Sequence, residues 1–445
     1  MSPTHESLVA GLSELVAIPS VSADDAHRDD VAAAAEWVCD RIRAAGGGAG
    51  LVDLGGKPLA VGEVRASSGA DSAPTVLCYA HFDVQPPDPL DLWDTAPFGL
   101  TERDGWLYAR GVADDKSHLF MMLEAVGELA AAGELPVNVR FACDGEEETG
   151  GHSIVDWLDR DARGAGAAIV LDGGMLRRDL PALVIGLRGV CYFHLTVRTG
   201  TRDLHSGMYG GVALNALHAL NRVLSAVVAG PDGRLPERLR AGVAPPTEAE
   251  LASWAMLPDP AEEMADQGAT PMDPHAVAEF YVRTWAEPSV DVNGIEGGSP
   301  RLQKTVLPVE ATANLSLRLA PGQQSGVVAP ELERLLREAA PEGAELDLQL
   351  WSTGEPAFVS PDAAAITITQ DVFEDVVGTR PVLIRTGGSI PIVAALTARG
   401  IPAVVTGFAL NESNVHSPNE RIPSEYLELG YRTVRELFRR LGELA

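Results

Sequence analysis

Lysine is almost missing from this chain. Of its 34 basic residues only Lys57, Lys116 and Lys304 are lysine, and 63 acidic residues leave a formal net charge of −29. So acidic a balance argues against nucleic acid and against anionic membrane surfaces as partners. The lysine deficit accompanies abundant Ala and Gly and reflects a GC-rich genome rather than function. Cysteine is scarce as well: Cys39, Cys78, Cys143 and Cys191 lie far apart with no CxxC pair. That argues against disulfides or a zinc knuckle and makes buried thiols the expectation. No run approaches 18 apolar residues, so no membrane span is expected. The first dozen residues lack a basic segment followed by an apolar one, so no export signal is visible and the cytoplasm is the expected compartment. What is present is globular: 445 residues, 46% hydrophobic and 22% charged, enough for two or three domains with ample core.

The first third alternates strand and helix patterns. Residues 31–45 have helical spacing and stop at three glycines; 117–132 read as a second helix ending at Gly133. TVLCYA, VNVRFAC and AAIVL are short apolar runs of the buried-strand type. This order implies a mostly parallel sheet flanked by helices. The glycines at 46–50 read as a loop without the Lys-Ser/Thr of a phosphate-binding motif. Near residue 186 the texture changes. Residues 312–319 and 346–351 read as strands, 213–228 and 328–340 as helices, while 231–300 is rich in Pro, Asp and Glu with few clear strands. From about residue 353 the alternation returns and closes on an amphipathic helix over 424–444. The fold class expected is therefore α/β: a split catalytic domain (1–186 and 353–445) interrupted by an α+β lid or dimerisation domain (187–352).

Five short segments carry chemistry. His81-Phe82-Asp83 follows the strand TVLCYA; on a continuing strand Asp83 points the same way as His81 and can hold its ring. Arg110–Lys116 (RGVADDK) precedes a helix. Asp144–Gly150 (DGEEETG) follows VNVRFAC and packs four acids into five residues, a repulsion that a nearby cation relieves. Asp172 follows AAIVL, and His416 follows AVVTGF in NVHSPNE. Each alone has an ordinary structural explanation: a packed histidine, a helix cap, a solvated acidic run. Together, at one sheet edge, they supply two imidazoles and several carboxylates, a donor set suited to zinc, manganese or cobalt. Two imidazoles with a shared carboxylate can hold two metals roughly 3.5–4 Å apart.

The text HFDVQP, RGVADDK, DGEEETGG, LDGG, RDLHSGMYGG, NGIEGG, KTVLP, RLAPGQ, RTGGSIP and HSPNE resembles the co-catalytic zinc metallopeptidases that include carnosinase-type dipeptidases, aminoacylase and glutamate carboxypeptidase, and is most similar to the carnosinase-like branch. The resemblance implies two divalent ions per chain. Asp114 would bridge them, His81 and Asp172 would complete one site, and Glu148 and His416 the other. It implies Glu147 as general acid/base, Asp83 as the carboxylate supporting His81, and a cis peptide between Asp114 and Asp115. It implies that His205 donates to the oxyanion in the partner subunit's site, and that Thr305 and Arg318 contact substrate. Gly388 and Ser389, before a helix with Pro391 in its first turn, would offer backbone N–H groups to a substrate carboxylate.

Two positions depart from the pattern. Ser117 stands where relatives usually have Gly. Thr386 stands where carnosinase-like relatives often have Glu, which helps hold the substrate's amino group. Against that, residue 172 is Asp, which in this family goes with dipeptidases, whereas Glu goes with carboxypeptidases and deacylases. The expectation is a cytoplasmic homodimer, joined through the inserted domain, that hydrolyses dipeptides or similar small amides bearing a free carboxylate by metal-activated hydroxide. The alternatives are an N-acyl-amino-acid amidohydrolase or a carboxypeptidase on a specialised amide. A different class, a non-catalytic metal- or peptide-binding relative, would have no need of a free base at Glu147.

Overall fold

The computed structural model describes residues 3–388 and 390–444. The chain divides into two compact units, one formed by Met1–Ile185, Val359–Leu383 and Ala395–Ala445, the other by Gly186–Phe358 and Ile384–Ala394. In chain order the first unit contributes α1 (His5–Val16), α2 (Arg28–Ala44), β1 (Gly48–Val52), β2 (Leu59–Val64), β3 (Thr75–His81), α3 (Lys116–Ala132), β4 (Asn138–Asp144) and β5 (Ala167–Val170). After β6 (Ala182–Leu187) the second unit supplies β7 (Gly189–Arg198), α4 (Ala216–Leu224), β8 (Ser289–Gly297), β9 (Glu310–Leu319), α5 (Ser325–Ala339) and β10 (Glu345–Gly354). The first unit then resumes with α6 (Ala364–Val377), β11 (Ala403–Val405) and α7 (Ser424–Arg440).

The first unit is an α/β layer structure. Its sheet runs β1-β2-β4-β3-β5-β11-β6, with β4, β3, β5 and β11 parallel and the flanking strands antiparallel. Buried on both faces, the central strands are mostly apolar rather than alternating: β3 is buried from Val76 on, and every residue of β4 is buried, including Arg140, whose charge is paired with Asp161. Helix α3 stops at Gly133, which takes φ 72° and closes the last turn, as its position in the sequence required. Helix α7 lays Tyr426, Leu427, Tyr431, Val434, Leu437 and Phe438 into the core, the 3–4 residue spacing of one helical face. The residues at 46–50 depart from expectation: Gly48–Val52 is a strand, not a loop. It sits at the sheet edge, pairs only with β2 and is half exposed, so glycine costs little packing there and pairing with β2 decides its state.

In the second unit the sheet is antiparallel, in the order β8-β9-β7-β10. Cys191, Phe193, Leu195 and Val197 of β7 alternate with polar neighbours and join Leu315, Leu317 and Leu319 of β9 on one face, covered by Leu220 and Val223 of α4 and Leu332 and Leu336 of α5. The acidic stretch before residue 300 does contain a strand, β8. It is an exposed edge with a bulge between Val292 and Gly294, so it carries no apolar alternation to read. All four cysteines are buried and unpaired.

Candidate metal centre

Strands β4, β3 and β5 are parallel neighbours, and their carboxyl ends form one edge, where loops of an open α/β sheet assemble sites. His81 is the last residue of β3 and lies opposite Asp144, the last of β4; Asp172 follows β5 by two residues. The turn before α3 brings Asp114 to the same edge, and the Asp114–Asp115 peptide is cis. His416 arrives from a loop in which Asn414, His416 and Asn419 all have positive φ (52°, 61° and 60°). Asn and His are among the non-glycine residues that adopt that conformation most readily.

Two candidate ligand groups result. In each, the donor atoms of His81, Asp114 and Asp172, or of Asp114, Glu148 and His416, lie within 4.8 Å of one another. Asp114 belongs to both and divides its oxygens: Oδ1 is 2.9 Å from His81 Nε2, and Oδ2 is 3.0 Å from His416 Nε2. His416 Nε2 is also 3.1 Å from Glu148 Oε2. A tetrahedral ion with bonds of about 2.0–2.1 Å separates its ligands by roughly 3.3 Å, so small outward shifts of these side chains admit a cation in each group.

The electrostatics fit the same occupant. Burial pushes the Asp114 carboxyl up, but hydrogen bonds from His416 and His81 outweigh it and hold it well below the usual carboxylate range. Burial opposes charge on His81, yet Asp114 and Asp83 raise its pKa well above the ordinary value. The bonds to Asp114 and Glu148 push His416 up to about 10. Burial raises Asp172 well above its normal range. These oxygens therefore demand positive charge, which a divalent ion supplies without a proton.

The surroundings hold these side chains in place. His81 Nδ1 is 3.1 Å from the Asp83 carbonyl oxygen and 3.4 Å from its carboxylate, so the backbone is the nearer partner. The buried Asp83 carboxylate accepts the N–H groups of Glu147 (3.3 Å) and Glu148 (3.1 Å), holding the turn that bears both. Glu148 is further held by Gln85, whose Nε2 donates to Oε2 at 2.8 Å. The Glu147 carboxylate has no hydrogen bond among the described residues, and burial raises its pKa above the ordinary carboxylate value.

Several supports went unread in the sequence. Asp115 accepts the His81 N–H at 3.2 Å and bonds His118 Nδ1 at 2.8 Å; His118 Nε2 in turn accepts the Phe408 N–H at 2.9 Å. Lys116 is wholly buried and donates to the carbonyls of Leu15 (3.1 Å), in the last turn of α1, and Ile18 (2.6 Å), just past it, and burial lowers its pKa to about 7. The signal was present in RGVADDK, but the partners lie too far away in sequence to be inferred.

The remaining candidates belong to the second unit. His205 is exposed and pairs through a two-residue strand with Val306, while the Ser206 N–H donates to the Thr305 carbonyl at 2.9 Å. His205 Nδ1 accepts the Gly207 N–H at 3.0 Å, which leaves the neutral ring's proton on Nε2. Arg318 lies on β9 between Ser289 and Val190 and has no carboxylate partner among the described residues. The Gly388 N–H donates to Thr386 Oγ1 at 3.3 Å, so that donor is engaged within its own turn. Ser389 lies outside the described residues.

The chain is also similar to known proteins. The profile of peptidase family M20/M25/M40 matches residues 77–440. The Cys-Gly metallodipeptidase DUG1 of Saccharomyces cerevisiae is 28% identical over 446 residues, covering 95% of this chain and 93% of its own. The Beta-Ala-His dipeptidase of Mus musculus is 28% identical over 443 residues, covering 94% and 89%. Among solved structures, the M20 family metallo-carboxypeptidase Sso-CP2 of Sulfolobus solfataricus superposes with a TM-score of 0.79 at 26% identity, covering 98% of this chain and 99% of its own. Human carnosine dipeptidase 1 superposes at 0.70 and 27%, covering 99% and 96%. The ligand groups and the near full-length match together place the chain in peptidase family M20/M25/M40, as a metal-dependent peptide hydrolase.

Proposed function

We propose that the chain is a two-metal dipeptidase that cleaves dipeptides or similar small amides with a free carboxylate. The observation that carries this reading is the divided carboxylate of Asp114, each oxygen turned to a different imidazole. His81 and Asp172 complete one site with it, and Glu148 and His416 the other; zinc suits the mixed N/O donors, with manganese or cobalt as alternatives. Ions held there polarise a carbonyl and acidify water. The chain's own residues do the rest. Glu147, raised in pKa and with no hydrogen bond to its carboxylate among the described residues, takes the proton of the attacking water and returns it to the leaving amine. Asp83 keeps Glu147 and Glu148 in register by their backbone N–H groups, so that one binds metal while the other stays a base. His205 presents Nε2–H to the developing oxyanion from the partner subunit of a homodimer joined through the second unit. Thr305 contacts the substrate, and Arg318, with Gly388 and Ser389, holds its carboxylate. Four buried thiols accord with a reducing cytoplasm.

A second reading, hydrolysis of N-acyl amino acids, is favoured by Thr386. Its hydroxyl is engaged by Gly388 and offers no charge to a substrate ammonium. One experiment separates the two: amino-acid release from a panel of free, N-acetylated and C-terminally amidated dipeptides, with and without chelator. The dipeptidase reading expects chelator-sensitive cleavage of the free members and severe loss on amidation. Preference for the acetylated members establishes the second reading instead, and chelator-insensitive cleavage contradicts both.

A further inference from the structure

Asp114 and Glu420 are 306 residues apart in sequence, yet one holds the other. The short strand Trp106–Tyr108 runs into the turn that carries Asp114, and the loop carrying His416 runs into the strand Arg421–Pro423. These strands pair antiparallel, with Arg421 opposite Tyr108 and Pro423 opposite Trp106. The two loops therefore leave the same end of one ladder, and the Ala109 N–H extends it by donating to the Glu420 carbonyl at 3.1 Å. Beyond that point the Glu420 side chain takes over. Its Oε2 accepts from the Gly111 N–H at 2.8 Å and Arg110 Nη1 at 2.7 Å; its Oε1 accepts from the Ala113 N–H at 2.8 Å and the Asp114 N–H at 3.2 Å. Four donors fill the acceptor sites of a carboxylate that is 1% exposed. Gly111 makes room for this: its φ is 78°, and a Cβ there would stand 2.4 Å from Val84 Cγ1.

We infer that Glu420 is the positioning residue that sets Asp114 against His416, and through Asp114 governs both metal sites at once. The segment His416–Glu420 thus provides a ligand at its first residue and, at its last, a clamp on the loop of the bridging ligand. Neutralising Arg110 is not a sufficient account of Glu420. Three of its four side-chain bonds go to backbone N–H groups of the Asp114 loop, and Arg110 itself belongs to that loop, its other Nη donating to the Pro86 carbonyl at 3.2 Å. The inference rests on the reading of Asp114 as a ligand shared by two ions. It differs from what loss of an unshared ligand does: a loosened Asp114 weakens both sites, whereas removing Asp172 or His416 empties one.

The test is calorimetric titration of the metal-free full-length protein with zinc, repeated with cobalt and read by visible absorbance. Glu420→Gln keeps the size of the side chain but turns an amide NH₂ toward backbone N–H donors. Replacing a partner that orients a metal ligand typically weakens metal affinity about 10- to 100-fold, and here both dissociation constants should rise by that amount, with changed cobalt spectra at both steps. Asp161→Asn is the control. It breaks a different buried ion pair in the same unit, to Arg140 at 2.7 Å, and should leave both affinities at wild type. Unchanged affinities in Glu420→Gln, loss of one ion only, or an equal loss in Asp161→Asn would each overturn the inference. If Glu420→Gln does not fold, Arg110→Lys decides: it loosens the clamp without removing the carboxylate and should weaken both ions by a smaller factor, while wild-type affinities overturn the clamp. Should the wild-type protein bind no ion, the underlying two-metal reading fails; if it binds two and the variants match it, only the clamp fails.

Discussion

Replacing Glu147 by Gln separates catalysis from structure, because the structure gives this side chain nothing to hold. Its N–H is fixed to Asp83, but its carboxylate has no hydrogen-bond partner among the described residues. Glu147→Gln is nearly isosteric, keeps the backbone bond and removes only the titrating oxygen. No partner is orphaned, so the unfolding midpoint should stay near wild type, and metal content should not change because Glu147 belongs to neither ligand group. Loss of a general acid/base typically costs 10²–10⁴-fold in rate, which at about 1.4 kcal/mol per decade is roughly 3–5 kcal/mol of transition-state stabilisation. The assay is kcat/KM on a cleaved dipeptide, with metal analysis and thermal unfolding on the same preparation. A metal-replete, normally folded Glu147→Gln protein with near wild-type turnover would refute the role of the free carboxylate.

Other outcomes follow from the same geometry. Asp172→Ala and His416→Ala should each lose a different single ion, distinguishable by which cobalt absorption disappears, and Asp114→Ala should lower both; identical losses from the first two would break the partition. Glu250→Gln should destabilise by about 3–5 kcal/mol, since it leaves the Arg385 guanidinium buried beside a neutral amide where a fully buried ion pair stood at 2.7 Å. Burial pushes the Glu250 carboxyl up, but Arg385 and Thr247 outweigh it and hold it below its ordinary value of about 4.3. Its contribution is therefore present above that pH and lost as pH falls through the lowered value, so wild-type and variant melting curves should converge in acid; a gap that widens there would contradict the sign. An inactive His205→Ala chain mixed with an inactive Glu147→Gln chain should recover about half of wild-type activity per heterodimer if His205 acts across the dimer, and none if it acts within its own chain.

Much of this centre was legible because each ligand type sits in a short motif at the carboxyl end of an apolar run. TVLCYA announces His81, VNVRFAC announces the acids at 144–148, and AAIVL announces Asp172. A parallel sheet then forces those ends together. His416 was harder to place, since it lies eleven positions beyond Val405 and three positive-φ positions aim its loop; the motif HSPNE marked it more closely than the strand AVVTGF before it. The clamps were not legible at all. Glu420, Asp115, His118 and Lys116 work through backbone groups up to 309 residues away, and a hydrogen bond to a backbone N–H or carbonyl leaves no mark on the residue that contributes that group. The same reasoning explains the strands missed at 48–52 and 289–297: both lie at sheet edges, where pairing rather than an apolar pattern fixes the conformation.

The account stands on one carboxylate serving two ions, and anomalous scattering at the zinc edge from crystals grown with zinc addresses that directly. Two peaks roughly 3.5–4 Å apart are predicted, one beside Asp114 Oδ1, His81 and Asp172, the other beside Asp114 Oδ2, Glu148 and His416. A single peak at full zinc occupancy, or two peaks with both Asp114 oxygens on the same ion, would contradict it.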